Sequence, residues 1–172
     1  MIKIRSEKPN EYAEISEAYR TAFEQDNEAR LVEDLRSTPN FIPELSLVAV
    51  INGSIVGHIL FSRVIIKSES HEVSALALAP IAVRPEFQNC GIGSQLVRKG
   101  LKECKRLGHG IVIVLGHPDY YPRFGFKSAL AFGLKAPFDV PDDVFLVHEV
   151  IPGALNDVSG VVIYPPSFNL VL

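Results

Sequence analysis

Residues Leu76–Leu107 read LALAPIAVRPEFQNCGIGSQLVRKGLKECKRL, and their order of strand, glycine turn and helix decides the fold. The opening LALAPIAV suits a buried strand, and the last part, GSQLVRKGLKECKRL, has the spacing of an amphipathic helix. At a helix start the first four backbone N–H groups have no partner within the helix, and the aligned peptide dipoles add partial positive charge. A phosphate answers both. Gly91 and Gly93 lack a Cβ, so the chain can take left-handed angles there and a bulky ligand can come close to the backbone. Gln88 to Ser94 is therefore the expected cradle for a diphosphate. The turn has neither the third glycine of the GxGxxG dinucleotide fingerprint nor the GK[ST] ending of a P-loop.

Bulk properties bound the rest. A chain of 172 residues that is 47% hydrophobic has material for one substantial core, so residues 1–172 are read as a single domain. Seventeen basic residues against 20 acidic ones give a net charge of −3 without a basic cluster, which argues against a nucleic-acid or anionic-membrane surface. The start, MIKIRSEKPN, has no apolar signal core, and the longest apolar runs are too short to span a bilayer. A soluble, cytoplasmic protein is expected. Cys90 and Cys104 make neither a disulfide framework nor a metal spacing, so no metal is expected.

Taken in order, Ile2 and Ile4 alternate with Lys3 and Arg5 as in a half-buried strand. Ile15, Ala18, Tyr19, Ala22 and Phe23 form the apolar stripe of a first helix, and Leu31, Val32 and Leu35 that of a second, with Asp26 or Asn27 as its cap and Pro39 and Pro43 ending it. Leu45–Ile51 and Ser54–Ile66 flank Asn52-Gly53, a strong hairpin signal. Glu72–Val83 returns after a polar turn, which completes a meander. Pro80 cannot donate to a ladder, so pairing is expected to fail on one side there and to leave the backbone of Ile81–Val83 open to a ligand. After the helix, Gly108 is the expected C-cap and Ile111–Leu115 a central strand parallel to the fourth. Val144–Val150 and Gly160–Tyr164 are expected to be two further antiparallel strands, and a candidate dimer contact.

At this point the combination of IAVRPEFQ, the turn QNCGIG and the later YYPRFGF resembles the GNAT superfamily of acetyl-CoA-dependent N-acetyltransferases. The turn matches [QR]-x-x-G-x-[GA] at Gln88, Gly91 and Gly93, and the later segment matches Tyr-x-x-x-Gly-Phe at Tyr121, Gly125 and Phe126. The resemblance implies an α/β fold with a mixed, mostly antiparallel central sheet, helices on both faces and a splayed parallel strand pair. It implies acetyl-CoA as acetyl donor and a primary amine as acceptor. Carried over by residue, it implies that the amides of Gln88, Asn89, Cys90, Gly91, Ile92, Gly93 and Ser94 hold the diphosphate. Backbone groups of Ile81, Ala82 and Val83 would pair with the pantetheine arm as with an added strand, a common recognition mode. Tyr121 would be the general acid for the departing sulfur, with Tyr120 as a packing residue beside it.

The base stays open among His117, which follows a strand end where open α/β sheets gather ligands, Glu28 on the second helix, His58 and a proton relayed by solvent. Cys90 lies in the cradle, but direct attack by an amine has no use for a cysteine nucleophile. A non-catalytic acyl-CoA-binding module is the rival reading. Neither reading needs nucleic acid or a membrane.

Overall fold

A computed structural model describes all of residues 1–172. Its elements run β1 (Ile2–Ser6), α1 (Tyr12–Phe23), α2 (Asn27–Arg36), β2 (Phe41–Ile51), β3 (Ser54–Lys67), β4 (Glu72–Val83), α3 (Ile92–Arg106), β5 (Ile111–Leu115), β6 (Lys127–Ser128), β7 (Leu134–Lys135), β8 (Phe145–Glu149) and β9 (Gly160–Ile163). One nine-stranded sheet has the order β1-β2-β3-β4-β5-β8-β6, with β9 paired to β3 and β7. The pairing is antiparallel apart from β4 with β5 and β7 with β9. No helix is long and apolar enough to cross a membrane. Internal contacts divide the chain into two compact units, one of Met1–Ser62, Ala79–Glu103 and Pro166–Leu172, the other of Arg63–Leu78 and Cys104–Pro165.

In the first unit, Asn52 and Gly53 both take positive φ (50° and 77°) between the paired residues Ile51 and Ser54. That is the two-residue turn whose twist suits a hairpin. Adjacent strand residues point to opposite faces, and β3 shows it directly. A Cβ on Gly57 would lie 3.2 Å from Leu96 of α3, whereas the next residue, His58, meets Tyr19 of α1 at 2.7 Å. Helices therefore cover both faces here, as the resemblance implied. Ile15, Ala18 and Tyr19 of α1 and Leu31, Val32 and Leu35 of α2 are buried. Phe23, expected on that stripe, is 41% exposed, because α1 ends there and its buried face is carried by residues one and two turns earlier. Asp26 stands at the N-cap position of α2 without capping it; its carboxylate is taken by Arg20 Nε at 2.7 Å.

The strand β2 starts four residues before its expected beginning and runs through Pro43, with a register shift between Phe41 and Ser46 that accommodates the missing donor. On α3, Gly100 sits on the Phe61 ring of β3, and a Cβ there would overlap the ring. Phe61 is fully buried. Gly100→Val should therefore destabilise by about 1–3 kcal/mol, read as a lower thermal midpoint; an unchanged midpoint would mean that Phe61 has room to swing aside.

In the second unit, β5 is buried from Ile111 to Val114 and lies between β4 and β8, which explains its unbroken apolar run. Leu76 and Ala77 pair in parallel with Val112 and Ile113. The α3 terminus closes as a Schellman motif: His109 N–H reaches the Cys104 carbonyl at 2.9 Å, Gly108 N–H reaches that of Lys105 at 3.0 Å, and Gly108 has φ 88°. The two closing strands are antiparallel to different partners, β8 to β5 and β9 to β3. Two residues each, β6 and β7 are too short for any periodicity to announce them.

Candidate active site

The end of β4 presents its backbone by strand alternation. Arg84 N–H donates to the Val56 carbonyl at 2.8 Å, and the Ala82 carbonyl would lie 3.0 Å from a Cβ on Gly57. Both therefore face β3. Residues of opposite parity, Ile81 and Val83, direct their N–H and C=O groups to the other edge. This corrects the reading of Pro80. The strand runs through it, and its parity is that of Ala82 and Arg84, so its missing donor falls on the β3 side rather than on the edge shown by Ile81 and Val83. The Pro80 carbonyl accepts from the Tyr19 hydroxyl at 3.1 Å.

A turn of 3-10 helix at Pro85–Phe87 leads to Gln88, whose amide Nε2 donates to the Val83 carbonyl at 2.9 Å and ties the turn to the strand. Asn89 and Gly91 take positive φ, 63° and 83°. The Gly91 carbonyl accepts from Gln95 N–H at 3.1 Å, which makes Gly91 the N-cap of α3 and puts Ile92 and Gly93 in its first turn. No acidic residue stands in that turn, while Lys105 and Arg106 close the other end. The positive end of the dipole thus faces outward without a carboxylate of its own. Gln88–Cys90 and Gly91 are exposed, so this turn is open to solvent. Cys90 Sγ is 3.4 Å from the Gln88 carbonyl.

In the second unit, Tyr121 opens a 3-10 turn (Tyr121–Phe124) ended by Gly125 at φ 102°. Its ring lies against the backbone of Gly116, where a Cβ would overlap it, and stands edge-on to Phe126 with centroids 5.7 Å apart. Tyr121 is more buried than Tyr120, the reverse of the packing expected from sequence. Tyr120 instead lies beneath the Arg123 guanidinium, 4.7 Å from its ring centre. Burial, with a smaller contribution from Tyr120, pushes the Tyr121 phenol up to about 12. It stays protonated throughout the neutral range. His117 is exposed and its Nδ1 accepts the Asp119 N–H at 3.1 Å, while its carbonyl accepts the Tyr121 N–H at 3.3 Å. The structure so brings His117 and Tyr121 onto one turn. Glu28, in the first turn of α2, is bonded by Gln25 Nε2 at 2.9 and 3.1 Å.

Sequence reading missed a buried polar chain in the first unit. Arg36 Nε and Nη2 donate to the two Glu7 oxygens at 2.9 and 3.0 Å, and Ser46 Oγ donates to Glu7 Oε1 at 2.6 Å. His58 Nε2 is 2.9 Å from the same oxygen, and His58 Nδ1 is 2.7 Å from the Tyr19 hydroxyl. Burial alone would raise the Glu7 carboxyl, but the hydrogen bonds from His58, Arg36 and Ser46 outweigh it and hold it at about 2. Burial lowers His58 against the pull of Glu7 and raises Tyr19. The one signal for this chain was a titratable His58 inside the apolar run SIVGHILF; nothing linked it to Glu7 or Tyr19. Arg84 was missed as well. Its Nε donates to the Ile55 carbonyl at 2.8 Å, and Ile55 N–H donates to Glu14 Oε2 at 2.9 Å. No group of three or more His, Cys, Asp or Glu side chains is placed to hold a metal ion.

Residues 3–129 match the family described as Acetyltransferase (GNAT) domain, and the chain belongs to that family. It is 36% identical over 167 residues to YhbS of Escherichia coli K12, covering 96% of this chain and 98% of that one. It is 40% identical over 132 residues to YjhQ of the same organism, covering 76% and 73%. Both are named uncharacterised N-acetyltransferases. The crystal structure of Escherichia coli YhbS in complex with CoA superposes with a TM-score of 0.90 at 34% identity, over 98% of this chain and 92% of that one. A GNAT family acetyltransferase from Brucella melitensis in complex with acetyl-CoA gives 0.80 at 31% identity, over 98% of both.

Proposed function

We propose that this protein moves the acetyl group of acetyl-CoA to a primary amine by direct attack, and that residues 1–172 act as one domain. The observation that carries the proposal is the join between the two donor surfaces: Gln88 ties the acid-free start of α3 to the edge shown by Ile81 and Val83. One surface suits a diphosphate and the other an extended amide-bearing arm. Acetyl-CoA carries both, and the complexes of the two relatives with CoA and acetyl-CoA support the assignment.

In this reading Gln88–Ser94 hold the diphosphate, Ile81–Val83 the pantetheine arm, and Ile81 N–H bonds the acetyl oxygen. The neutral amine forms a C–N bond to the thioester carbon while the carbonyl electrons move onto oxygen, where Ile81 N–H stabilises them. Collapse restores the carbonyl and breaks the C–S bond. The nitrogen loses a proton to His117, Glu28 or solvent, and the sulfur ends as a thiol. Tyr121 supplies the hydrogen bond to that sulfur.

Acetyl-CoA should raise the thermal midpoint, since binding to the folded state alone adds stability. Released thiol should then appear with at least one member of a panel of polyamines, amino acids, peptides and small amines. A midpoint shift without thiol release from any of them favours a non-catalytic acyl-CoA-binding module, and the absence of both effects removes the proposal.

A further inference from the structure

The Pro80 carbonyl and the Ile81 N–H belong to one peptide unit, and they point to opposite edges of β4. On the β3 side the Tyr19 hydroxyl meets that carbonyl at 3.1 Å. A hydrogen bond accepted by a peptide oxygen draws electron density from the peptide nitrogen and makes its N–H a stronger donor. We propose that Tyr19 is a positioning residue for acetyl transfer, its hydroxyl polarising the Pro80–Ile81 peptide so that Ile81 N–H binds the oxyanion more tightly. This rests on the preceding assignment of Ile81 N–H to the acetyl oxygen.

The surroundings of Tyr19 fit a tuned donor better than a simple packing residue. The ring is fully buried and reaches Pro80 from α1, 61 positions away in sequence. Its hydroxyl has one proton and three acceptors in reach, His58 Nδ1 at 2.7 Å, the Pro80 oxygen at 3.1 Å and, more distantly, the His58 carbonyl at 3.4 Å. The carboxylate of Glu7, 2.9 Å from His58 Nε2, requires a proton on that nitrogen. Nδ1 of the neutral ring is then an acceptor, and it shares the Tyr19 proton with Pro80. Arg36 and Ser46 fix Glu7, so the orientation of the whole row is set at the far end. The other end of the strand segment is held from the same helix, since Arg84 Nη2 donates to the Glu14 carbonyl at 3.4 Å and Arg84 Nε to Ile55. Helix α1 so grips β4 on both sides of Ile81–Val83.

Sharing of one proton gives two substitutions opposite signs. Tyr19→Phe keeps the ring and removes the donor; His58→Leu removes the nearest competing acceptor and leaves the Pro80 oxygen, at 3.1 Å, the nearer of the two carbonyls that remain. The readout is the carbonyl resonance of acetyl-CoA labelled with 13C at the acetyl carbonyl, bound to each protein without any acceptor. Wild-type protein should displace the signal downfield from its free position, Tyr19→Phe should displace it less, and His58→Leu more. Where an acceptor is found, Tyr19→Phe should lower kcat by about threefold to tenfold with KM for acetyl-CoA unchanged, less than the loss seen on removing an oxyanion donor outright. Displacements equal in all three proteins, or moved the same way by both substitutions, would overturn the proposal in favour of a packing role. If either variant fails to fold, 3-fluorotyrosine at position 19, a stronger donor of nearly the same size, should increase the displacement, and an unchanged signal counts against the proposal. Failure of wild-type protein to bind acetyl-CoA at all would instead remove the donor assignment beneath it.

Discussion

Tyr121→Phe is expected to lower turnover by about tenfold or more while leaving the midpoint shift with acetyl-CoA intact. The reason lies in the mismatch between the two acids. A phenol held up at about 12 is a poorer acid than a thiol near 8.5, so full proton transfer from Tyr121 to sulfur would be uphill by about 5 kcal/mol. In the proposed mechanism Tyr121 therefore acts by donating a hydrogen bond to the developing thiolate, and the proton leaving the amine can complete the exchange through solvent. A donor of this kind must be protonated to work, so its contribution is lost only as pH rises through about 12. Turnover should accordingly show no falling basic limb from Tyr121 up to pH 10. A limb near pH 9 that disappears in Tyr121→Phe would contradict the raised phenol. Gly116→Ala provides a second check, because the added methyl must displace the Tyr121 ring and should reproduce much of the loss without removing the hydroxyl.

The second large effect concerns stability and acid. Glu7→Gln leaves Arg36 and the fully buried His58 without their carboxylate, and breaking such a buried pair should cost about 3–5 kcal/mol at neutral pH. In wild-type protein the Glu7 carboxyl titrates at about 2 when folded, below its ordinary 4.5. Its contribution is therefore complete above pH 4.5 and is lost as pH falls towards 2, an amount on the order of 3 kcal/mol. Chemical denaturation across that window should show the wild-type advantage over Glu7→Gln shrinking as the pH drops. A constant offset between the two proteins would mean that Glu7 is not the carboxylate whose protonation matters.

Much of the sheet could be read from the chain because its signals are local. Asn52-Gly53 fixes one turn, the apolar run of β5 reports burial on both faces, and Gly108 ends α3 where only a left-handed residue serves. The turn and helix start at Gln88–Ser94 were legible for the same reason, since the glycine spacing lies within seven residues. Strand parity was not. Whether Pro80 breaks the open edge or the paired one depends on counting from Arg84, and that register belongs to the folded ladder. The polar row was less legible still: Glu7, Ser46, His58 and Tyr19 come from four elements or the loops between them, and no spacing unites them. The order of burial of Tyr120 and Tyr121 also differs from the one foreseen, since the bare backbone of Gly116 accepts the Tyr121 ring.

The acid-free first turn of α3 has a practical consequence for measurement. A positive dipole end with no carboxylate of its own discriminates poorly among anions, so under the proposed assignment sulfate or phosphate in a buffer should compete with the donor's diphosphate. Added salt further screens this exposed attraction over about 8–10 Å. Donor affinities for this protein will therefore be comparable between laboratories only when the buffer anion and ionic strength are stated.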